Sequence, residues 1–410
     1  LSTFLSENEA DKCYKLFISH SLIPGALEYK KLTLYKTNTN GAISVVPFFF
    51  CYFWKMTNAF TKKLLSWFEK NHRPMPWKGE KNPYLIWLSE IILQQTRVAQ
   101  GLPYFEKFKA AYPTITDLAN APEDDVLKLW EGLGYYSRAR NLHFTARDIR
   151  DNYEGVFPTA YEDILKLKGV GIYTAAAIAS FAYDLPYAVL DGNVFRVLSR
   201  YFGIKEPIDT TTGKKLFIKL SQELLAKKKA ADYNQAIMDF GATQCVPANP
   251  DCKVCPFNKA CVARQKNLVS QLPIKSKKLK KRSRFFHFLI VNDGDQVWIR
   301  KRVEKDIWQG LYEFPLLEKE KLFGRQSLER KEEFQKRIPA EGIISRVSAP
   351  FTQQLTHQKI NAVFFEINLE RPLKKPPVDW IKIYRKDLGN YAFPRIIDLY
   401  LQDKSLYLNF

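Results

Sequence analysis

Cysteine is scarce in this chain: six in 410 residues, with four of them between residues 245 and 261. A disulfide framework is therefore not what holds the fold, because a chain of this length buries a large core without covalent staples. Acid is also short, 43 Asp and Glu against 63 Lys and Arg, for a formal net charge of +20. That imbalance favours a polyanionic partner, with nucleic acid ahead of an anionic membrane surface. Long apolar runs are missing too. The most apolar stretch, SVVPFFFCYFW (44–54), is about half of what a bilayer requires, and it lies too far from the start to be a signal peptide. The expectation is a cytoplasmic protein with no membrane association. Methionine is nearly absent, and the first of the three is Met56. Residues 1–55 lack sustained periodicity and are expected to be an N-terminal extension of unknown role, dispensable for activity.

Beyond that segment the patterning is informative. Residues 58–260 repeat apolar side chains every three and four positions, the period of helices. Residues 264–284, RQKNLVSQLPIKSKKLKKRSR, carry nine basic side chains and no acid, a composition that predicts an extended, solvated linker. After it come strand-like runs, RFFHFLIV, QVWIR, GLYEFPLL and AVFFEINL, with one helical segment, SLERKEEFQKRI, among them. The expected organisation is a mainly α domain over 56–263, a basic linker over 264–282 and a smaller α+β domain over 283–410.

Three features carry chemistry. In TAYEDILKLKGVGIYTAAAIASFAY (159–183), Thr159 and Glu162 have capping-box spacing, which predicts a helix start. The helix–GVG–helix pattern offers the N–H groups of Gly169, Val170 and Gly171 to a phosphate without side-chain charge; an ordinary glycine-turn hairpin reads the same way. Two carboxylates stand out. Glu90 lies on a helix that Asn82 caps and Pro83 begins. Leu85, Leu88 and Ile92 form one apolar stripe there, and Glu90, Gln94 and Arg97 a separate face, as on any amphipathic helix. Asp191 opens DGNVFRVLSRYF as a helix cap, where local N–H groups and the dipole favour an ionised carboxylate. Finally, Cys245, Cys252, Cys255 and Cys261 form C-x6-C-x2-C-x5-C, a four-thiolate set that accepts either zinc or an iron–sulfur cluster.

Taken in order, SEIILQQT (89–96), EGLGYYSRARNL (131–142), LKGVGIYTAAAIASFAY (167–183), LDGNVFRVLSRYF (190–202), NQAIMDFGATQC (234–245) and the four cysteines resemble the MutY-type adenine DNA glycosylases. These belong to the helix-hairpin-helix superfamily that includes endonuclease III. The resemblance covers about 58–270, and WQGLYEFP (308–315) extends it into the second domain; Lys168 departs from it, standing where the hairpin usually has proline. It implies a monofunctional glycosylase that releases adenine opposite 8-oxoguanine or guanine in duplex DNA. Glu90 would protonate the adenine at N7, and Asp191 would stabilise the cationic sugar. Asn193 would orient Asp191, and Tyr173 would lie beside the sugar, where bifunctional relatives carry a Schiff-base lysine. Gln95 and Tyr135 would meet the opposite base. Arg73 and Trp77 would line the base pocket, and Gln235 would touch the flipped adenine. The cysteines would hold a [4Fe–4S] cluster, with Lys253, Lys259 and Arg264 beside it for DNA phosphates.

The second domain is similar to Nudix folds but lacks the REx2EExG metal helix, Arg330, Glu332 and Glu333 having the wrong spacing. Lesion recognition without nucleotide hydrolysis is expected, through a loop of Leu355, Thr356 and His357. The resemblance implies a monomer associated with the bacterial nucleoid. A glycosylase for another mismatch such as T:G, a non-catalytic iron–sulfur DNA-binding protein and a Nudix hydrolase with a DNA-binding appendage remain rival readings.

Overall fold

The computed structural model describes residues 48–276, 281–330, 332–338, 342–373 and 375–403. Most of the expected extension, residues 1–47, lies outside the described residues. Helices follow as α1 (Phe48–Asn71), α2 (Pro83–Leu93), α3 (Val98–Ala111), α4 (Ile115–Asn120), α5 (Glu123–Leu129), α6 (Ser137–Asn152), α7 (Tyr161–Lys166), α8 (Ile172–Tyr183), α9 (Gly192–Phe202), α10 (Thr211–Leu224), α11 (Ala230–Thr243) and α12 (Val262–Gln265). Helix α1 runs straight across the boundary drawn at 55/56. The chain folds into two compact units, neither contiguous in sequence: one from residues up to 75 and 184–276, the other from 76–183 and 277–410.

The first unit is held by aromatic packing. Phe60 of α1 is fully buried and stacks on Phe257, with Tyr201 and Phe202 of α9 against it, while Trp67 meets Phe240 of α11 edge-on. Such pairs add about 0.5–1.5 kcal/mol each beyond their area. Helix α9 ends at Gly203 in the left-handed region, φ +69°, and a Cβ there would meet Val262 at 2.4 Å, so only glycine lets α12 approach. The expected linker is partly folded onto this unit. Leu272 is buried, its carbonyl accepts from Arg200 Nε at 3.1 Å, Ile274 accepts from the Ile208 N–H, and Ser276 bonds Asp209. Residues 264–276 are thus packed chain, not an extended tether, because their backbone carbonyls serve donors from a distant segment.

In the second unit, α2 begins as expected, with Asn82 accepting from the Tyr84 N–H and Pro83 in the first turn. Its apolar stripe does not describe it, however: Tyr84 through Ile92 are all buried, so neighbours surround the helix. It ends at Leu93, which puts Gln94 and Arg97 outside it. The Thr159 capping box is not formed. Helix α7 starts with Ala160 at the cap position and no side-chain bond, one residue later than the spacing implied. Thr114 and Asp117 make a complete capping box at α4 instead.

The α+β part contains β1 (Arg282–Asp293), β2 (Gln296–Lys301), β3 (Tyr312–Glu313), β4 (Leu316–Lys319), β5 (Gly342–Val347), β6 (Phe351–Gln354), β7 (Gln358–Leu369) and β8 (Trp380–Tyr384). The sheet path is β3-β2-β1-β7-β5, with β4 on β1, β6 on β7 and β8 on β2. Strands β1 and β7 are parallel from Arg282↔Gln358 to Asn292↔Asn368. The expected single helix is two short ones, α13 (Arg325–Glu329) and α14 (Glu332–Arg337), and α15 (Arg395–Leu401) closes the described chain. One core gathers Leu289, Val291, Phe334, Ile344 and Phe365. This sheet is fastened to the helical part of the same unit. Asp124 accepts from Lys301 Nζ at 2.5 Å and from Tyr312 OH at 2.8 Å. Glu131 accepts from the Phe393 N–H at 2.8 Å, and Arg140 donates to the Gln309 carbonyl at 2.5 Å.

Candidate active site

Asp191 is the cap of α9. One carboxylate oxygen accepts from the Val194 N–H at 2.7 Å and the other from Asn193 Nδ2 at 2.7 Å. The cap was expected to favour the charged form, and these bonds do pull that way, helped by Arg196. Burial outweighs them, and the carboxyl sits above its ordinary pKa. Asn193 Oδ1 in turn accepts from Arg196 Nη2 at 2.8 Å, and Arg196 Nε donates to the Cys245 carbonyl at 2.8 Å. Hydrogen bonds thus run from Asp191 to the backbone of a cysteine. Gly241 of α11 makes room for Asn193, since a Cβ there would lie 2.6 Å from the asparagine Cβ.

Asp239, fully buried on α11, accepts from Arg73 Nη2 at 3.2 Å and from Gln235 Nε2 at 3.3 Å. Arg73 and Gln235 are thereby brought together in the first unit. Trp77 belongs to the second unit, edge-on to Phe105 at 5.3 Å.

In the second unit Glu90 is buried on α2 and Tyr173 half-buried on α8. The two helices are tied where Gln94 Nε2 reaches Thr174 Oγ1 at 3.3 Å. The hairpin between α7 and α8 turns at its two glycines. Gly169 adopts φ +82° and lies against Asn141, and Gly169 and Gly171 are exposed. Val170 is buried and its N–H donates to the Leu167 carbonyl at 3.0 Å, so that donor is spent on the turn. Lys168, in place of proline, lays its ammonium 3.9 Å from the Phe144 ring centre, and its carbonyl accepts from Thr145.

Gln95 and Tyr135 are both exposed, and both take left-handed backbone, φ 56° and 50°. Thr356 and His357 lie exposed in the β6–β7 turn, where the Leu355 N–H donates to the Gln358 carbonyl. The Thr356 hydroxyl is hydrogen-bonded to the Tyr135 hydroxyl. The two parts of this unit therefore bring two of the expected lesion-reading side chains into contact.

Residues 88–223 match the HhH-GPD superfamily of base excision DNA repair proteins, and residues 286–403 match the NUDIX domain. Adenine DNA glycosylases of two Buchnera aphidicola strains are 37% and 42% identical to the chain over 62% of its length, covering 73% and 74% of theirs. The chain belongs to the adenine DNA glycosylase family. The human adenine DNA glycosylase is 41% identical over 52% of the chain and 41% of its own length. A thermostable thymine-DNA glycosylase of known structure is 31% identical, with a TM-score of 0.49 over 52% of the chain and 98% of its own. As an adenine DNA glycosylase, the chain is an N-glycosyl hydrolase of base excision repair.

For this glycosylase the four thiols are the candidate cofactor ligands. Among the described residues no three His, Cys, Asp or Glu side chains are placed to hold a single metal ion. Cys245, Cys252, Cys255 and Cys261 instead share one cavity walled by Val197, Tyr201, Phe240 and Phe257. Burial pushes the Cys255 thiol up to about 11 and the Cys261 thiol upward, and neighbouring thiols add to both. Arg200 donates to the Val246 and Pro247 carbonyls and brings its guanidinium 3.5 Å from Cys245 Sγ. Four thiols, apolar walls and a buried cation fit an iron–sulfur group of net negative charge. Lys253, Lys259 and Arg264 are exposed around it.

Sequence reasoning missed Asp239, Arg196 and Arg138. A signal existed for the first two, since Gln235 and Asp239 are one helical turn apart, as are Asn193 and Arg196.

Proposed function

We propose that this adenine DNA glycosylase hydrolyses the bond between adenine and deoxyribose where adenine lies opposite 8-oxoguanine or guanine in duplex DNA. The observation that carries the reading is the Asp191 carboxylate, fixed on both oxygens in a chain of this family. Adenine leaves poorly as an anion and C1′ becomes cationic as the bond breaks. An acid on the base and an anion facing the sugar divide the task, as paired carboxylates do in glycoside hydrolysis. Glu90 gives its proton to N7, and the C1′–N9 bond electrons leave with the neutral base. Asp191 faces C1′ and carries the sugar through a transient adduct until water adds there and loses a proton to Glu90. Asn193 holds Asp191 in orientation. Tyr173 has no amine to form a Schiff base, which supports a monofunctional enzyme without strand cleavage.

The target base must leave the stack. Gln95 and Tyr135 meet the opposite base, with Thr356 and His357 reading 8-oxoguanine from the Nudix-like domain and Arg73, Trp77 and Gln235 lining the adenine pocket. In this reading the exposed Gly169 and Gly171 of the turn take a phosphate on their N–H groups, the Val170 N–H being engaged within the turn. The four cysteines would hold a [4Fe–4S] cluster, which supplies a structural anchor for the basic loop when bound. We read the functional domains as 56–263 and 283–410, in a monomer acting on bacterial DNA in the cytoplasm; among the described residues no helix is long and apolar enough to cross a membrane.

The test is base release from duplexes carrying A:8-oxoG, A:G, T:G or A:T, read before and after alkali, with wild type and Asp191→Asn. Adenine release opposite 8-oxoguanine, breaks only after alkali and a nearly inactive D191N are expected. Thymine release would overturn the substrate. No release by protein with its cluster intact would leave a DNA-binding module.

A further inference from the structure

Arg138 is buried on α6, and its guanidinium is spent on backbone. Nη1 donates to the carbonyls of Ile91 at 2.9 Å, Ile92 at 2.9 Å and Gln94 at 2.7 Å. Nη2 donates to the Gly134 carbonyl at 3.1 Å, and both nitrogens lie 3.4 Å from Thr96 Oγ1. The plane lies 5.0 Å from the Trp130 ring centre and 5.6 Å from that of Tyr135. Burial lowers its pKa to about 10, so it stays charged at neutral pH.

Its acceptors come from two segments with unusual backbone. The first is the open end of α2, whose last carbonyls lack helical partners; Gln95 follows at φ 56°. The second is the 132–135 turn, with Gly132 at φ 89°, Gly134 at 77° and Tyr135 at 50°. Non-glycine residues hold such angles only where their surroundings over-determine them. Here a single planar fork reaches both segments.

We propose that Arg138 is a positioning residue that locks the Gln95 and Tyr135 segments to each other, and so sets how sharply the enzyme distinguishes the base opposite adenine. The inference rests on the reading of Gln95 and Tyr135 given above. Lysine cannot replace it, because a point ammonium does not span acceptors on two segments.

The experiment compares wild type, Arg138→Lys and Arg138→Gln with Leu142→Ala, a buried residue of the same helix, as a control for lost stability. Amide hydrogen exchange without DNA reads the lock directly, and single-turnover adenine release from A:8-oxoG and A:G duplexes reads discrimination. In R138K, exchange in 94–97 and 132–137 rises together, and the ratio of the two rates falls about tenfold, less than the roughly hundredfold that a 1 Å misplacement costs. L142A lowers the melting temperature and leaves the ratio alone. Adding R138K to Gln95→Ala gives less than the additive loss. Unchanged exchange in either segment of R138K and R138Q, or an unchanged ratio with both segments loosened, overturns the proposal. Wild type that releases no adenine opposite 8-oxoguanine overturns the substrate reading instead, and the exchange arm still decides the lock.

Discussion

Asn193→Ala isolates one bond to Asp191, the carboxylate proposed to face the sugar. Asp191 has two opposing influences: burial raises its pKa, and the Val194 N–H, the Asn193 amide and Arg196 lower it. Removing the amide deletes the 2.7 Å bond to Oδ2 and leaves the cap bond from Val194 in place, so α9 still starts at the same residue. A hydrogen bond to a charged group is worth about 1.5–3 kcal/mol. The carboxylate form loses that support and the neutral acid does not, so the folded-state pKa moves further up. On the proposed mechanism Asp191 is ionised when it faces a cationic sugar, so the acid limb of the single-turnover rate shifts to higher pH. On that limb the rate at fixed pH drops about ten- to a hundredfold. Above the limb the remaining deficit reports orientation alone. The assay is adenine release from an A:8-oxoG duplex from acid to mildly alkaline pH, with enzyme in excess. A uniformly lower rate with the limb unmoved would refute the argument, since the amide would then not be tuning the carboxylate's charge.

Asp398 on α15 is raised to about 7 by burial and by Glu131, against Lys128 and Arg395. Its raised folded value means that its contribution is complete below the unfolded pKa and is lost as pH rises through about 7. The shift corresponds to about 4 kcal/mol, cut by partial exposure to about 1–2 kcal/mol, so urea unfolding of wild type should weaken by that amount relative to Asp398→Asn between pH 4 and pH 8. Gly241→Ala drives a methyl into Asn193; overpacking of about 1–3 kcal/mol and a fall in adenine release are expected, seen together in melting and single-turnover assays. Gly169→Ala sets a Cβ 2.9 Å from Asn141 at φ +82°, about 1–2 kcal/mol against the turn, and should weaken DNA binding in fluorescence anisotropy with little change in cleavage at saturation.

The local parts of this structure were legible because their causes are local. Asn82 and Asp191 cap their helices through N–H groups two or three residues away, and the strands follow alternating or wholly apolar runs. Legibility failed where partners come from far along the chain. The stripe on α2 misled because Tyr84, Trp87, Ser89 and Glu90 are buried as well, which only packing around the helix decides. The basic composition of 264–276 says nothing of Arg200 and Ile208, whose donors fold it down. Arg138 and Arg196 looked like two more of the chain's 63 positive charges; their acceptors are main-chain carbonyls, an amide and a hydroxyl, which leave no trace in composition.

The interleaved path of the chain has a consequence for synthesis. Helix α1 emerges from the ribosome long before Tyr201, Phe240 and Phe257, the rings that cover Phe60 and Trp67. The whole 76–183 segment is made in between. Domains fold in order of emergence, so Glu90's helical surroundings can form while α1 still waits with its apolar face uncovered. The wait ends only as the cysteine loop arrives. A nascent chain arrested between 184 and 261 would present α1 to chaperones and proteases, and the step that completes the thiol set is the same one that retires that exposed face.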